Sequence, residues 1–151
     1  MECQYQSPWF VEALQKEDNL EVNQLDLNLD TDICIIGGGF TGLWAALKIK
    51  EKKPSTNIIL IEKDLCGSGA SGRNGGCMIP QSTKFQGIEK VVGTEDAKKI
   101  VLATEDAVNN IKNYCLNNNI DAEIRDDGVF YGATNKFHKG AFESLIKDLN
   151  K

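Results

Sequence analysis

A strand that runs straight into a glycine corner constrains this chain more than any other feature of it. Asp32-Ile33-Cys34-Ile35-Ile36 is a nearly continuous apolar run, the pattern of a short strand covered on both faces. It enters Gly37-Gly38-Gly39-Phe40-Thr41-Gly42, and a helical stretch from Leu43 to Lys52 follows. Leu43, Ala46, Leu47 and Ile49 are its apolar positions, and lysines gather towards its end, where the helix dipole favours positive charge. Pro54-Ser55-Thr56 breaks the helix, and a second apolar strand, Asn57 to Ile61, stops at Glu62. Strand, glycine turn, helix and strand within residues 32–62 make a βαβ unit, and the crossover makes its two strands parallel.

The spacing Gly37-x-Gly39-x-x-Gly42 has a physical reason at each glycine. Gly37 allows the sharp turn from strand to helix. Gly39, without a Cβ, lets the backbone come within hydrogen-bonding distance of a pyrophosphate. Gly42 lets the helix pack closely on the strand. The N–H groups of Phe40, Thr41 and their neighbours in the first helical turn, with the positive end of the dipole, then face the phosphates. A structural glycine turn that binds nothing has the same spacing; the strand before it, the helix it opens and the strand beyond favour a dinucleotide. Glu62 lies 20 residues past Gly42, at the carboxyl end of the second strand, where an acid accepts the hydroxyls of an adenosine ribose. A carboxylate there repels a 2′-phosphate, so FAD or NAD is indicated over NADP.

A second glycine-rich segment, Gly67-Ser68-Gly69-Ala70-Ser71-Gly72-Arg73-Asn74-Gly75-Gly76, follows directly. A simple NAD domain proceeds to its next helix and strand. A second loop of exposed backbone suggests a ligand long enough to be gripped twice, with Ser68 and Ser71 offering hydroxyls and Arg73 a planar cationic fork. A flexible linker is the plainer alternative, which the Arg73-Asn74 pair between glycines disfavours.

These three motifs, Asp32 to Leu43, Ile61-Glu62-Lys63 and Gly69 to Gly76, resemble the FAD-dependent D-amino-acid oxidase (glycine/sarcosine oxidase-like) family, with Ser71-Gly-Arg-Asn-Gly-Gly76 most similar to its gamma-glutamylputrescine oxidoreductase branch. Ile120 to Thr134 is similar to the first substrate-domain strands of that branch. The resemblance implies FAD as cofactor. Gly37, Gly39, Phe40, Thr41 and Gly42 would hold the pyrophosphate and Glu62 the ribose. Lys63 would lie beside the adenine, and Ser68, Ser71, Arg73, Asn74 and Gly75 would run towards the ribityl chain and isoalloxazine. The implied reaction is oxidation of a C–N bond in an amine or amino acid, with hydride passing to flavin N5 and the imine then hydrolysed. Family members are several-fold longer, so the resemblance implies an amino-terminal portion whose isolated activity is doubtful and which pairs with a missing carboxyl-terminal part. No catalytic base is identified; the lone His138 lies in a polar stretch, Asn135 to Gly140. An NAD-dependent dehydrogenase or flavin reductase, and a non-catalytic fragment, are the alternatives.

The remaining expectations follow from pattern and composition. The fold class is α/β: a Rossmann-like FAD-binding βαβ unit with parallel strands, plus the beginning of an α+β substrate domain. Residues 1–31 form an acidic arm or lead-in, in which Pro8, Trp9, Phe10, Val11, Ala13 and Leu14 make a short packing segment and Leu20, Val22, Leu25, Leu27 and Leu29 alternate with polar groups. Residues 32–92 hold the nucleotide unit and the glycine-rich loop, and residues 93–151 begin the substrate domain. There Thr94 to Asn117 reads as a long helix with Ala97, Ile100, Val101, Thr104, Val108, Ile111 and Cys115 on one face, ended by Asn117-Asn118-Asn119. Glu123 to Arg125 and Gly128 to Ala133 flank Asp126-Asp127 as a hairpin, and Phe142, Leu145, Ile146 and Leu149 mark an amphipathic helix from about Lys139. A formal net charge of −5 offers no basic footprint for nucleic acid. No apolar run approaches the roughly 20 residues of a membrane span. The N-terminus lacks a basic and an apolar signal region, and the five cysteines lack CxxC spacing, which together indicate a cytoplasmic protein with reduced thiols and no metal site.

Overall fold

The computed structural model describes residues 7–17, 24–140 and 142–149. It divides into two compact units, residues 1–77 and 78–151.

In the first unit, helix α1 spans Pro8–Gln15, with Ser7 as its N-cap and a proline in its first turn, the two features that favour a helix start. Strand β1 is Ile33–Ile36, helix α2 Phe40–Lys52 and strand β2 Ile58–Ile61. β1 and β2 pair in parallel, Ile33 opposite Ile58 through Ile36 opposite Ile61, so the βαβ expectation holds. The residues before β1 fix where β2 starts: the Asn57 N–H donates to Asp32 Oδ2 at 2.8 Å and the Thr31 hydroxyl to the Asn57 carbonyl at 2.8 Å. Lys50 and Lys52 stand in the last turn of α2, and the helix ends ahead of Pro54, whose carbonyl accepts from Lys50 Nζ at 3.0 Å.

One expectation for this unit is corrected. β1 is covered on one face only. Ile33 and Ile35 are half-buried while Cys34 is exposed and Ile36 is 87% exposed, because side chains alternate along a strand and α2 takes just one of the two faces. Leu25, Leu27 and Leu29 are all exposed in an irregular stretch over residues 24–30; Leu20 and Val22 lie outside the described residues.

The second unit is helical. α3 is Phe85–Val92 and α4 Thr94–Asn117; Gly93, at φ +82°, turns the chain between them. Its core is Phe85, Ala97 and Val101, with Ile88 packed against them. On the expected face of α4, Thr104, Val108 and Cys115 are half-buried, whereas Ile100 and Ile111 are exposed. Asn119 takes the left-handed conformation at φ +55° and the Ile120 N–H returns to the Cys115 carbonyl at 2.9 Å, a C-terminal cap that confirms the asparagine stop.

The hairpin expected across Asp126-Asp127 does not form: residues 120–134 carry no strand. Glu123 sits at φ +48°, outside the extended region, which breaks the first arm. The two turn carboxylates are taken up elsewhere, Asp126 by Lys112 and Asp127 by Arg125 at 2.6 Å. An isolated two-stranded ribbon is marginal in water in any case, and Val129 and Phe130 are left exposed. The last helix, α5, is Glu143–Leu149, preceded by a 3₁₀ turn at Lys136–His138 rather than running continuously from Lys139; Gly140, at φ +79°, separates them. The side chain of Leu149 lies outside the described residues.

Candidate functional site

The corner between β1 and α2 is built by four glycines. Gly37 turns at φ +105°, a conformation that L side chains resist, while its N–H still reaches the Ile61 carbonyl of β2 at 2.7 Å. Gly38 is buried; a Cβ on it would meet Cys66 Sγ at 2.5 Å and Cys66 Cα at 3.2 Å. Gly39 is the N-cap of α2 and supplies no side-chain cap. Gly42 lies under the turn, where a Cβ would stand 2.1 Å from the Gly37 carbonyl oxygen and 3.2 Å from Ile35 Cγ2. Close packing of helix on strand therefore requires Gly42, as its place in the spacing suggests. Gly38, a mere spacer in that reading, is also tightly packed, although the atom nearest to its missing Cβ is the Cys66 thiol, which can rotate, and not a fixed carbonyl.

Glu62 follows β2 immediately and turns back onto the corner. Its Oε2 accepts the Gly38 N–H at 2.6 Å, and its Oε1 accepts the N–H groups of Lys63 at 2.8 Å and Asp64 at 3.2 Å. These bonds favour the ionised form: the carboxyl is held below its ordinary value of 4.5, first by the Gly38 N–H and then by that of Asp64, with partial desolvation opposing and Lys63 adding. The side chain of Lys63 itself is exposed.

The second glycine loop closes over the same corner. The Gly67 N–H donates to the Gly38 carbonyl at 3.0 Å, and Ser71 Oγ accepts the Phe40 N–H at 2.9 Å. That hydroxyl stands where a Cβ on Gly39 would be, 2.9 Å from it. An oxygen acceptor thus already sits at the N-terminus of α2, the position that the helix dipole and backbone donors make attractive to an anion. Phe40 and Thr41 are exposed beside it.

The loop also repeats the first corner's construction, a feature legible in the sequence but missed there. Gly67, Gly69 and Gly72 have the spacing of Gly37, Gly39 and Gly42. Gly67 again has positive φ, +85°, and a Cβ on Gly72 would lie 2.4 Å from the Gly67 carbonyl oxygen. Only a three-residue 3₁₀ turn, Ala70–Gly72, follows instead of a helix. Ser68, Arg73 and Asn74 hold this loop's own shape: Arg73 Nε donates to the Ser68 carbonyl at 3.1 Å, Asn74 Nδ2 to the Ser71 carbonyl at 2.7 Å, and Asn74 Oδ1 accepts the Gly76 N–H at 2.8 Å. Gly75 is exposed with open space around it. So Gly37, Gly39, Phe40, Gly42, Glu62 and Ser71 converge on one corner, while Arg73, Asn74 and Gly75 continue beyond it. His138 lies in the other unit; its ring faces Thr134 Oγ1 at 3.3 Å and Asn135 Nδ2 at 3.5 Å. Among the described residues no helix is long and apolar enough to cross a membrane.

Comparison with known proteins shows which family the chain resembles. The chain is 31% identical over 113 residues to gamma-glutamylputrescine oxidoreductase of Escherichia coli (strain K12), covering 74% of this chain and 26% of that protein. It is 34% identical over 113 residues to the probable oxidoreductase OrdL of Rhizobium meliloti (strain 1021), covering 74% and 25% respectively. Over 72 residues it is 43% identical to the probable oxidoreductase OrdL of Haemophilus influenzae, covering 46% and 16%. The chain therefore spans about a quarter of the length of the first two relatives. No solved structure matches it. The sequence profile of the FAD dependent oxidoreductase (DAO) family matches residues 32–151, beginning at the strand that enters the glycine corner, and the chain belongs to that family.

Proposed function

We propose that residues 32–77 hold FAD and that the chain is the amino-terminal part of an oxidoreductase acting on a C–N bond of a small amine or amino acid. The observation that carries this reading is the pairing of an α2 N-terminus shaped by Gly37, Gly39 and Gly42 with the Glu62 carboxylate at the tip of the adjacent parallel strand. The residues fit a dinucleotide. Gly39 leaves room at the helix start where the one near atom is a rotatable hydroxyl, and Ser71 can turn away or share the Phe40 N–H with a phosphate oxygen. Glu62 has the acceptor oxygens a ribose needs, and it exchanges the Gly38 N–H for sugar hydroxyls or shares it with them. Lys63, exposed next to Glu62, reaches towards the adenine. Ser68, Ser71, Arg73, Asn74 and Gly75 extend the cradle along the cofactor, with Thr41 at the side of the helix start. When bound, FAD would supply the redox chemistry, as the hydride acceptor for oxidation of the substrate C–N bond to an imine that water hydrolyses.

The amine is favoured by the named activity of the E. coli relative. We assign residues 93–151 to the start of the substrate-facing part, and turnover to the longer protein in which the uncovered face of β1 is packed. The chain is tested by purification and flavin assay: a yellow protein that releases FAD on denaturation supports the reading. A colourless chain that binds NAD and not FAD overturns it in favour of a dehydrogenase or flavin reductase, and one that binds neither leaves a non-catalytic fragment.

A further inference from the structure

Helix α1 lies before the stretch that the family profile covers, yet it is fastened to the second glycine loop at two points. The Ser7 hydroxyl donates to the Gly72 carbonyl. The Phe10 ring lies over two of the loop's glycines, 3.3 Å from where a Cβ on Gly72 would be and 3.8 Å from that of Gly67. Ser7 also accepts the Phe10 N–H at 3.2 Å as the N-cap of α1, so one hydroxyl fixes the helix start and joins it to the loop. The loop needs such a fastening. Residues 67–76 include five glycines, and glycine loses more backbone freedom on ordering than any other residue. Only with the loop in place does Ser71 reach the Phe40 N–H and Gly67 the Gly38 carbonyl.

We infer that α1 is a strap that pre-orders the second glycine loop for the dinucleotide, with Ser7 and Phe10 as its positioning residues. The inference rests on the FAD reading for its ligand, but the strap itself does not. Holding the loop in its bound shape before the ligand arrives lowers the ordering cost at binding. Arg73 makes this measurable, since it is an exposed trypsin site within the fastened segment. Ser7→Asp keeps an acceptor to cap α1 but has no proton to give the Gly72 carbonyl. It and Phe10→Ala should each speed cleavage after Arg73 in the full chain and weaken FAD, read by flavin fluorescence, by about three- to tenfold, the scale of one lost neutral hydrogen bond or contact. Ser7→Thr, which restores the hydroxyl, and Trp9→Ala, on the exposed side of α1, should match the wild type in both. Wild-type cleavage and affinity in Ser7→Asp and Phe10→Ala overturn the strap, as does an equal effect of Trp9→Ala. A wild-type chain that takes up no FAD overturns the cofactor reading instead, and the cleavage rates then decide the strap alone.

Discussion

The tightest point of the corner gives its sharpest prediction. In Gly42→Ala the new Cβ would lie 2.1 Å from the Gly37 carbonyl oxygen and 3.2 Å from Ile35 Cγ2. Reaching 3.0 Å, the shortest distance that real Cβ atoms show, requires a retreat of about 1 Å between turn and helix. The turn is poorly placed to yield, because the Gly37 N–H is bonded to the Ile61 carbonyl at 2.7 Å and Gly37 already holds φ +105°. The helix start must therefore move, which opens its contact with Ile35 and draws the Phe40 N–H away from Ser71. Overpacking of this kind costs about 1–3 kcal/mol. The intrinsic preference of a helix for alanine over glycine returns at most about 1 kcal/mol. The net expectation is a loss of about 1–2 kcal/mol, measured as a lower urea midpoint with Trp44 emission as the probe in a Trp9→Phe background. Amide exchange should quicken in peptides spanning residues 37–52. FAD affinity should fall at least tenfold, since a hydrogen bond weakens steeply when its donor is displaced by that much. A Gly42→Ala chain with wild-type midpoint and wild-type FAD affinity would refute the claim that carbonyl-to-helix contact sets this corner.

Gly39→Val is expected to separate binding from stability. Its Cβ meets only the Ser71 side chain, Oγ at 2.9 Å and Cβ at 3.9 Å, so the stability should change by less than about 1 kcal/mol, while nucleotide binding is abolished; retained affinity would place the phosphates elsewhere. Glu62 gives a pH dependence whose sign follows from its depressed carboxyl. The contribution of such a group is complete above its unfolded value and disappears as the pH falls through the lower folded one. The stability of the first unit should therefore be flat from neutral pH and begin to fall only as the pH drops below 4.5, measured as the urea midpoint against pH. Glu62→Gln, less stable at neutral pH, should show a shallower acid decline, and identical acid limbs in the two proteins would contradict the assignment. Val101→Ala removes two methyl groups from the small core formed with Phe85 and Ala97 and should cost about 1–3 kcal/mol, read as loss of far-UV helix signal at a lower urea concentration; an unchanged midpoint would count against that core.

What could be read from the sequence was whatever local chemistry decides. β1, α2 and β2 are bounded by glycines, a proline and an acid, each with a local reason. α4 begins at Thr94 and ends at Asn117 because a glycine corner and an asparagine stop bracket a sustained apolar period. α3 escaped notice because Gly87 interrupts eight residues whose helical state depends on Phe85 and Ile88 reaching α4, a tertiary cause with no local mark. The hairpin failed for the converse reason: alternation and a turn dipeptide were present, but the partners that would reward pairing were not, and Lys112 and Arg125 drew the turn carboxylates away. Coverage of β1 was over-read in the same way. An apolar run states what a strand can bury, while the layers around it decide what it does bury.

The site shows the same division between local rule and assembly. The G-x-G-x-x-G spacing works because a carbonyl at the first glycine lies under the missing Cβ of the last, and that relation holds at Gly37 with Gly42 and again at Gly67 with Gly72. At the first corner the spacing opens onto a 13-residue helix and gains its dipole and free donors. At the second it opens onto three residues of 3₁₀ turn, so the same backbone turn yields a loop with no helix dipole of its own. Such a loop can cover a ligand held by the first corner but has little with which to hold one alone. Bonds from Arg73 and Asn74 shape it from within, and its seating comes from outside, from Gly38 and Phe40 on one side and from Ser7 and Phe10 on the other. Two glycine turns of equal spacing are therefore unequal in construction, one opening onto a helix dipole and the other onto a loop fastened by its neighbours.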